Sequence, residues 1–160
     1  VSPRTLVVGL GNPILGDDGV GWRVAEQVRA HSDHPDVAVL CLSLGGLALM
    51  EHLVGYRRVM IVDAMTTGAP AGTLHRLDAR KMDELHVQHT ASVHDLSLSS
   101  ALAMGRELGL DLPAEIHVVG VEAAPEFEFG EVLSEPVDRA IPAATRVVLD
   151  WLGHDPGAPR

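Results

Sequence analysis

Short β-branched apolar runs alternate with amphipathic stretches along most of this chain, and that alternation predicts its elements. Leu6-Val7-Val8 is an uninterrupted apolar run that stops at Gly9-Leu10-Gly11-Asn12-Pro13, the pattern of a buried strand entering a loop. From about Gly19 to Ala30, Val20, Val24 and Val28 recur on one helical face, with Arg23, Glu26 and Arg29 elsewhere. Val37 to Leu42 is a second buried strand, Leu47 to Val54 a helix stopped at Gly55, and Val59 to Val62 a third strand ending at Asp63. The alternation in Thr73-Leu74-His75-Arg76-Leu77 predicts an edge strand. Residues 78 to 93 are polar and histidine-rich, the least regular stretch. Asp95 to Leu108 suits a helix closed by Gly109, Ile116 to Val121 a further strand, and Leu133 to Leu152 a last helix beginning near Glu135-Pro136. Strands alternating with helices predict an α/β/α sandwich with a mainly parallel sheet.

Composition narrows the class. The 160 residues are 46% hydrophobic and 21% charged, as expected of one globular domain over residues 1–160, with 153–160 as a loose tail. A single cysteine, Cys41, excludes a disulfide framework and a four-cysteine zinc site, and fits a reducing compartment. No apolar run approaches the roughly 20 residues of a membrane span, and the first residues lack the order of a signal peptide, so no membrane association and a cytoplasmic location are expected. Twelve Lys and Arg against 22 Asp and Glu leave a net charge of −10, with no basic cluster larger than Arg57-Arg58 or Arg80-Lys81. Nucleic acid is therefore not an expected partner.

In open parallel sheets, ligands collect outside the carboxyl ends of the strands. Polar residues fall there in three places: Gly11 to Asp18, Asp63, and Glu122. The opening Gly9-Leu10-Gly11 suggests a dinucleotide fingerprint, but Ile14 stands where the third glycine belongs, and Asp17-Asp18 put negative charge where a phosphate would sit. Asp17 and Asp18 suit the start of the first helix, where carboxylates cap free N–H groups. That role suffices for one of them, while two adjacent carboxylates invite a cation. Asp63 is equally compatible with holding loop N–H groups and with serving the cleft. Of the nine histidines, His86, His89 and His94 are the densest group. His86 and His89 read as solvated loop residues, whereas His94 lies at a helix start within reach of a strand end. Carboxylates with an imidazole form a mixed site for a borderline divalent metal. His31, His34, His52, His75, His117 and His154 read as surface or core residues. Cys41, inside an apolar strand, and Ser43, outside any Gly-x-Ser-x-Gly elbow, are not expected to be nucleophiles.

Three blocks together carry a resemblance. Gly9-Leu10-Gly11-Asn12-Pro13-Ile14-Leu15-Gly16-Asp17-Asp18-Gly19-Val20-Gly21, then a strand ending in Asp63-Ala64, then Ser92-Val93-His94-Asp95-Leu96 resemble the hydrogenase maturation endopeptidases. These trim the C-terminal extension from the large subunit of nickel–iron hydrogenases. The similarity runs from about Leu6 to Leu152 and includes Val119-Gly120-Val121-Glu122, which is similar to the family's Gly-(Ile/Val)-Glu segment.

The resemblance implies a three-layer sandwich with a five-stranded mixed sheet. It also implies that Asp18, Asp63 and His94 recognise nickel, with Asp18 and Asp63 as candidate catalytic acids. The nickel would belong to the substrate, a [NiFe]-hydrogenase large-subunit precursor, and no permanent cofactor is implied. One departure stands out: where many members carry Asp-Gly-Gly-Thr after the second strand, this chain has Leu44-Gly45-Gly46-Leu47. Gly9 to Pro13 also resembles the opening of peptidyl-tRNA hydrolase, but Gly16-Asp17-Asp18-Gly19 replaces that family's Thr-Arg-His-Asn block. A non-catalytic metal-binding or chaperone module using the same acids and histidine is the third alternative.

Overall fold

The computed structural model describes residues 4–78, 98–126 and 128–154. Five strands form one mixed sheet: β1 (Thr5–Leu10), β2 (Val37–Leu42), β3 (Arg58–Met65), β4 (Leu74–Asp78) and β5 (Glu115–Glu122). Their order is β2-β1-β3-β5-β4; β4, at one edge, runs antiparallel to β5, and every other pairing is parallel. Helices α1 (Val20–His31) and α4 (Glu135–Gly153) pack on one face, and α2 (Gly46–Leu53) and α3 (Leu98–Glu107) on the other.

The layers follow from side-chain parity. In β3, Met60, Val62 and Ala64 join the core beneath α1 and α4, while Val59 and Ile61 join the core beneath α2 and α3. Burial on both faces is why β3 reads as a continuous apolar run. Val20, Val24 and Val28 supply the buried stripe of α1, each worth about 1.5–3 kcal/mol against exposure.

The helix can lie this close to the sheet because glycines face each other across the contact. A Cβ on Gly9 would meet the Gly21 carbonyl, and one on Gly21 would meet the carbonyl oxygens of Leu10 and Val62. Close helix–strand packing is the part the third glycine plays in a dinucleotide fold. Here Gly21, on α1 itself, serves it, and the loop between is left free for other uses.

At the amino end of the sheet, Arg58 is buried. Its guanidinium lies 4.3 Å from the Trp151 ring centroid and donates to the carbonyls of Trp151 and His154, both at 3.2 Å, at the end of α4. Glu115 neutralises it at 3.4 Å and accepts from the Trp151 indole at 3.0 Å. Arg58 therefore fastens the end of α4 to the sheet instead of offering charge to a partner.

Two local readings change. Asp17 and Asp18 are not in α1 but in a separate 3-10 turn, Gly16–Gly19, that runs into it. β3 continues past Asp63 to Met65, because Ala64 and Met65 keep pairing with Val121 and Glu122 of β5. No helix among the described residues is long and apolar enough to cross a membrane.

Candidate active site

The carboxyl ends of β1, β3 and β5 are adjacent in the sheet and open onto one rim. The loop leaving β1 is tightly organised there. Asn12 accepts from the Ile14 amide at 3.1 Å through its side chain and from the Leu15 amide at 3.1 Å through its carbonyl. The Asp18 carboxylate accepts the Asn12 amide at 2.8 Å and is only 5% exposed. Ser43, at the end of β2, donates its hydroxyl to the Gly11 carbonyl at 2.7 Å, tying in the neighbouring loop. A Cβ at Gly11, whose φ is +131°, would collide with the Asp18 backbone.

The adjacent acids divide their work. Asp17 turns away to the start of α4, where its two oxygens accept the Ser134 amide at 2.6 Å and the Ser134 hydroxyl at 2.7 Å. It caps a helix, as one of the pair was expected to, but the helix is α4. Asp18 remains on the rim.

Asp63 lies in β3 two residues before the strand ends, opposite Gly120 of β5, and is 7% exposed. Its parity with Val59 and Ile61 sets it on the α2 and α3 face. The 3-10 turn that carries Asp18 packs against β3, so both buried carboxylates belong to the same end of adjacent strands. His86, His89 and His94 lie outside the described residues. Among the described residues, no group of three His, Cys, Asp or Glu side chains is arranged to hold a metal ion.

A second polar constellation occupies the neighbouring strands. Glu122, the last residue of β5, is 1% exposed and accepts four hydrogen bonds: from the Thr67 amide at 2.7 Å, the Thr67 hydroxyl at 2.8 Å, the Gly68 amide at 2.9 Å and His75 Nε2 at 2.9 Å. Burial pushes its carboxyl up, but the bonds from Thr67, His75 and Gly68 outweigh burial and hold it below the ordinary carboxylate range. Glu122 thus pins the loop that leaves β3 just beyond Asp63. His75 lies on β4 opposite Gly120, which makes Asp63, Gly120 and His75 one row across three strands. Reading His75 as an isolated surface or core residue missed this partnership. The only available signal was its place on a predicted edge strand.

Cys41 shows no sign of a nucleophile. Burial pushes its thiol up, against a smaller opposing effect of the Arg29 guanidinium. After β2, Leu44 is exposed at the position where many family members carry an Asp, Gly46 opens α2 with a φ of +50°, and Leu47 in its first turn is also exposed.

Known proteins share this fold. The family model for HycI, hydrogenase maturation protease, matches residues 22–151. The hydrogenase expression/formation protein HoxM of Azotobacter vinelandii is 28% identical over 154 residues, spanning 96% of this chain and 74% of its own. Among solved structures, the hydrogenase maturating endopeptidase HybD from E. coli superposes with a TM-score of 0.77 at 28% identity, covering 94% of this chain and 92% of its own. The hydrogenase 2 maturation peptidase from Thaumarchaeota archaeon SCGC_AB-539-E09 gives 0.70 at 29% identity, covering 95% and 99%. The fold is that of these α/β/α peptidases. The chain belongs to the hydrogenase maturation protease family and is an endopeptidase of hydrogenase maturation. That activity sets aside the tRNA-ester hydrolase and the non-catalytic module.

Proposed function

We propose that this endopeptidase removes the C-terminal extension of a [NiFe]-hydrogenase large-subunit precursor after nickel has been inserted, and that the substrate's nickel is its recognition element. The observation that supports this reading is the pair of buried carboxylates, Asp18 and Asp63, at the carboxyl ends of adjacent strands. With His94 they make an oxygen and nitrogen donor set suited to completing the shell of a borderline divalent ion. Nickel already held by the precursor's thiolates would then bring the scissile bond against an attacking water.

The chain's own groups define what each step requires. Asp18 is held by the Asn12 amide, so it presents a fixed carboxylate without needing to reorganise. Asp63 is placed by the β3–β5 ladder and is a candidate general base for the water, in the manner of an aspartic-type peptidase. In the other route the substrate's nickel activates the water and Asp63 only orients the peptide. Either route makes the processing step nickel-dependent, and the single cysteine of the chain fits a reducing, cytoplasmic setting for it. The test is mass spectrometry of a co-expressed large subunit, with and without nickel. Loss of a C-terminal fragment only with nickel is the expected result, and cleavage of nickel-free precursor at the same rate would refute the recognition role.

A further inference from the structure

The segment following β5 exposes apolar side chains beside the loop that carries Asp18. Phe129 is 84% and Val132 86% exposed, in a chain with only two phenylalanines. This is not loose chain. Gly16 donates to the Gly130 carbonyl at 2.7 Å, Gly130 donates to the Ile14 carbonyl at 2.8 Å, and Ser134 is held by Asp17. The exposed segment is thereby fixed in position relative to the rim, and Ile14, 42% exposed, extends the apolar area toward it.

The same segment borders a groove between α1 and α4, lined by Val132, Leu133 and Ile141 among Glu26, Glu131 and Asp138. Among the described residues lining it, the one cation, Arg23, is committed to Glu26 at 3.9 Å and to the Glu131 carbonyl at 3.3 Å. Among the described residues, the carboxylates of Glu128, Glu131 and Asp138 have no cationic partner. Unpaired acids surrounding exposed apolar side chains are complementary to a segment that is both basic and apolar, and they disfavour a second copy of this chain, whose net charge is −10.

We propose that residues 128–132 and the groove between α1 and α4 form a docking surface for a basic, apolar segment of the large-subunit precursor, remote from the scissile bond. The proposal rests on the substrate assigned above. Docking at this place would hold the precursor by a part that is not consumed, so it contributes to capture and not to the chemical step.

Steady-state processing of full-length precursor, followed by mass spectrometry, separates the two contributions. Phe129→Ser with Val132→Ser should raise KM about tenfold and leave kcat unchanged, as expected for truncating an exposed aromatic anchor. Glu131→Gln with Asp138→Asn should also raise KM and should flatten its dependence on ionic strength. These charge variants carry the test if the apolar ones fold poorly. An unchanged KM in folded variants overturns the proposal. So does a wild-type dimer in sedimentation that the Phe129→Ser, Val132→Ser variant dissolves without a change in KM, because the surface would then serve a second copy. If the wild type fails to process nickel-loaded precursor at all, the substrate assignment has failed, and this proposal falls with it.

Discussion

Asp17 and Ser134, separated by 117 residues, are joined by two hydrogen bonds of 2.6 and 2.7 Å, and this link locks the loop after β1 to the start of α4. The Ser134 hydroxyl donates to Asp17, and its side chain makes no capping bond to its own helix. Asp17→Ala takes away the charged acceptor of both the Ser134 amide and the Ser134 hydroxyl and removes a carboxylate from a helix N-terminus. We expect a stability loss of about 1–3 kcal/mol, read from denaturant unfolding. Activity per folded molecule should fall far less than in Asp18→Asn, since only Asp18 faces the rim.

Asp63→Asn keeps the size and shape of the side chain and removes its charge. If Asp63 serves the cleft, processing should fall by about 10²–10⁴-fold while the melting temperature changes little, because the amide keeps the size and hydrogen-bonding shape of the side chain. Melting and cleavage are to be measured on one sample. A clear drop in melting temperature with normal specific activity would make Asp63 a structural residue.

Glu122 makes stability depend on acid. Its folded pKa lies below the ordinary 4.5, so the ionised form stabilises the fold above that value. That contribution is lost as pH falls below 4.5 and through the lowered folded value. Glu122→Gln should remove this part of the acid dependence and cost about 1–3 kcal/mol at neutral pH, since an amide cannot accept all four bonds. Chemical denaturation across an acid pH series measures both. A slope below pH 4.5 equal to that of the wild type would show that the Glu122 bonds contribute nothing.

Arg58→Ala should destabilise by about 2–4 kcal/mol, because it removes a buried side chain and leaves the half-buried Glu115, the Trp151 ring and the last carbonyls of α4 without their cation. The residue is at the amino end of the sheet, opposite the rim. Catalysis by the folded fraction should therefore be unchanged, which thermal melting and precursor cleavage on matched samples will check.

The chain's own pattern was sufficient for the layers. Uninterrupted Val-rich runs can be buried on both faces only in a sheet covered on both sides, and the valines spaced by four in α1 fit one helical face. The bounds of β2 were legible to the residue, and the antiparallel edge position of β4 agrees with its alternating pattern. Such signals are local, because strand and helix periods act between residues a few positions apart. The Asp17-Asp18 pair marked the rim for the same reason, since a strand's carboxyl end can be found without knowing its neighbours.

Local pattern could not tell those two acids apart. Their separation of roles depends on where α4 begins, and only packing α4 against α1 brings Ser134 to Asp17 and leaves Asp18 behind. His75 and Glu122 are likewise 47 residues apart, and their bond exists because β4 turns back antiparallel along β5. The burial of Arg58 was decided at the same level, by the Trp151 face that arrives from the far end of the chain. Periodicity determines which face of an element is buried. Which distant side chains then meet is set by ladder register and helix packing, and those depend on contacts made only when the whole sheet has assembled.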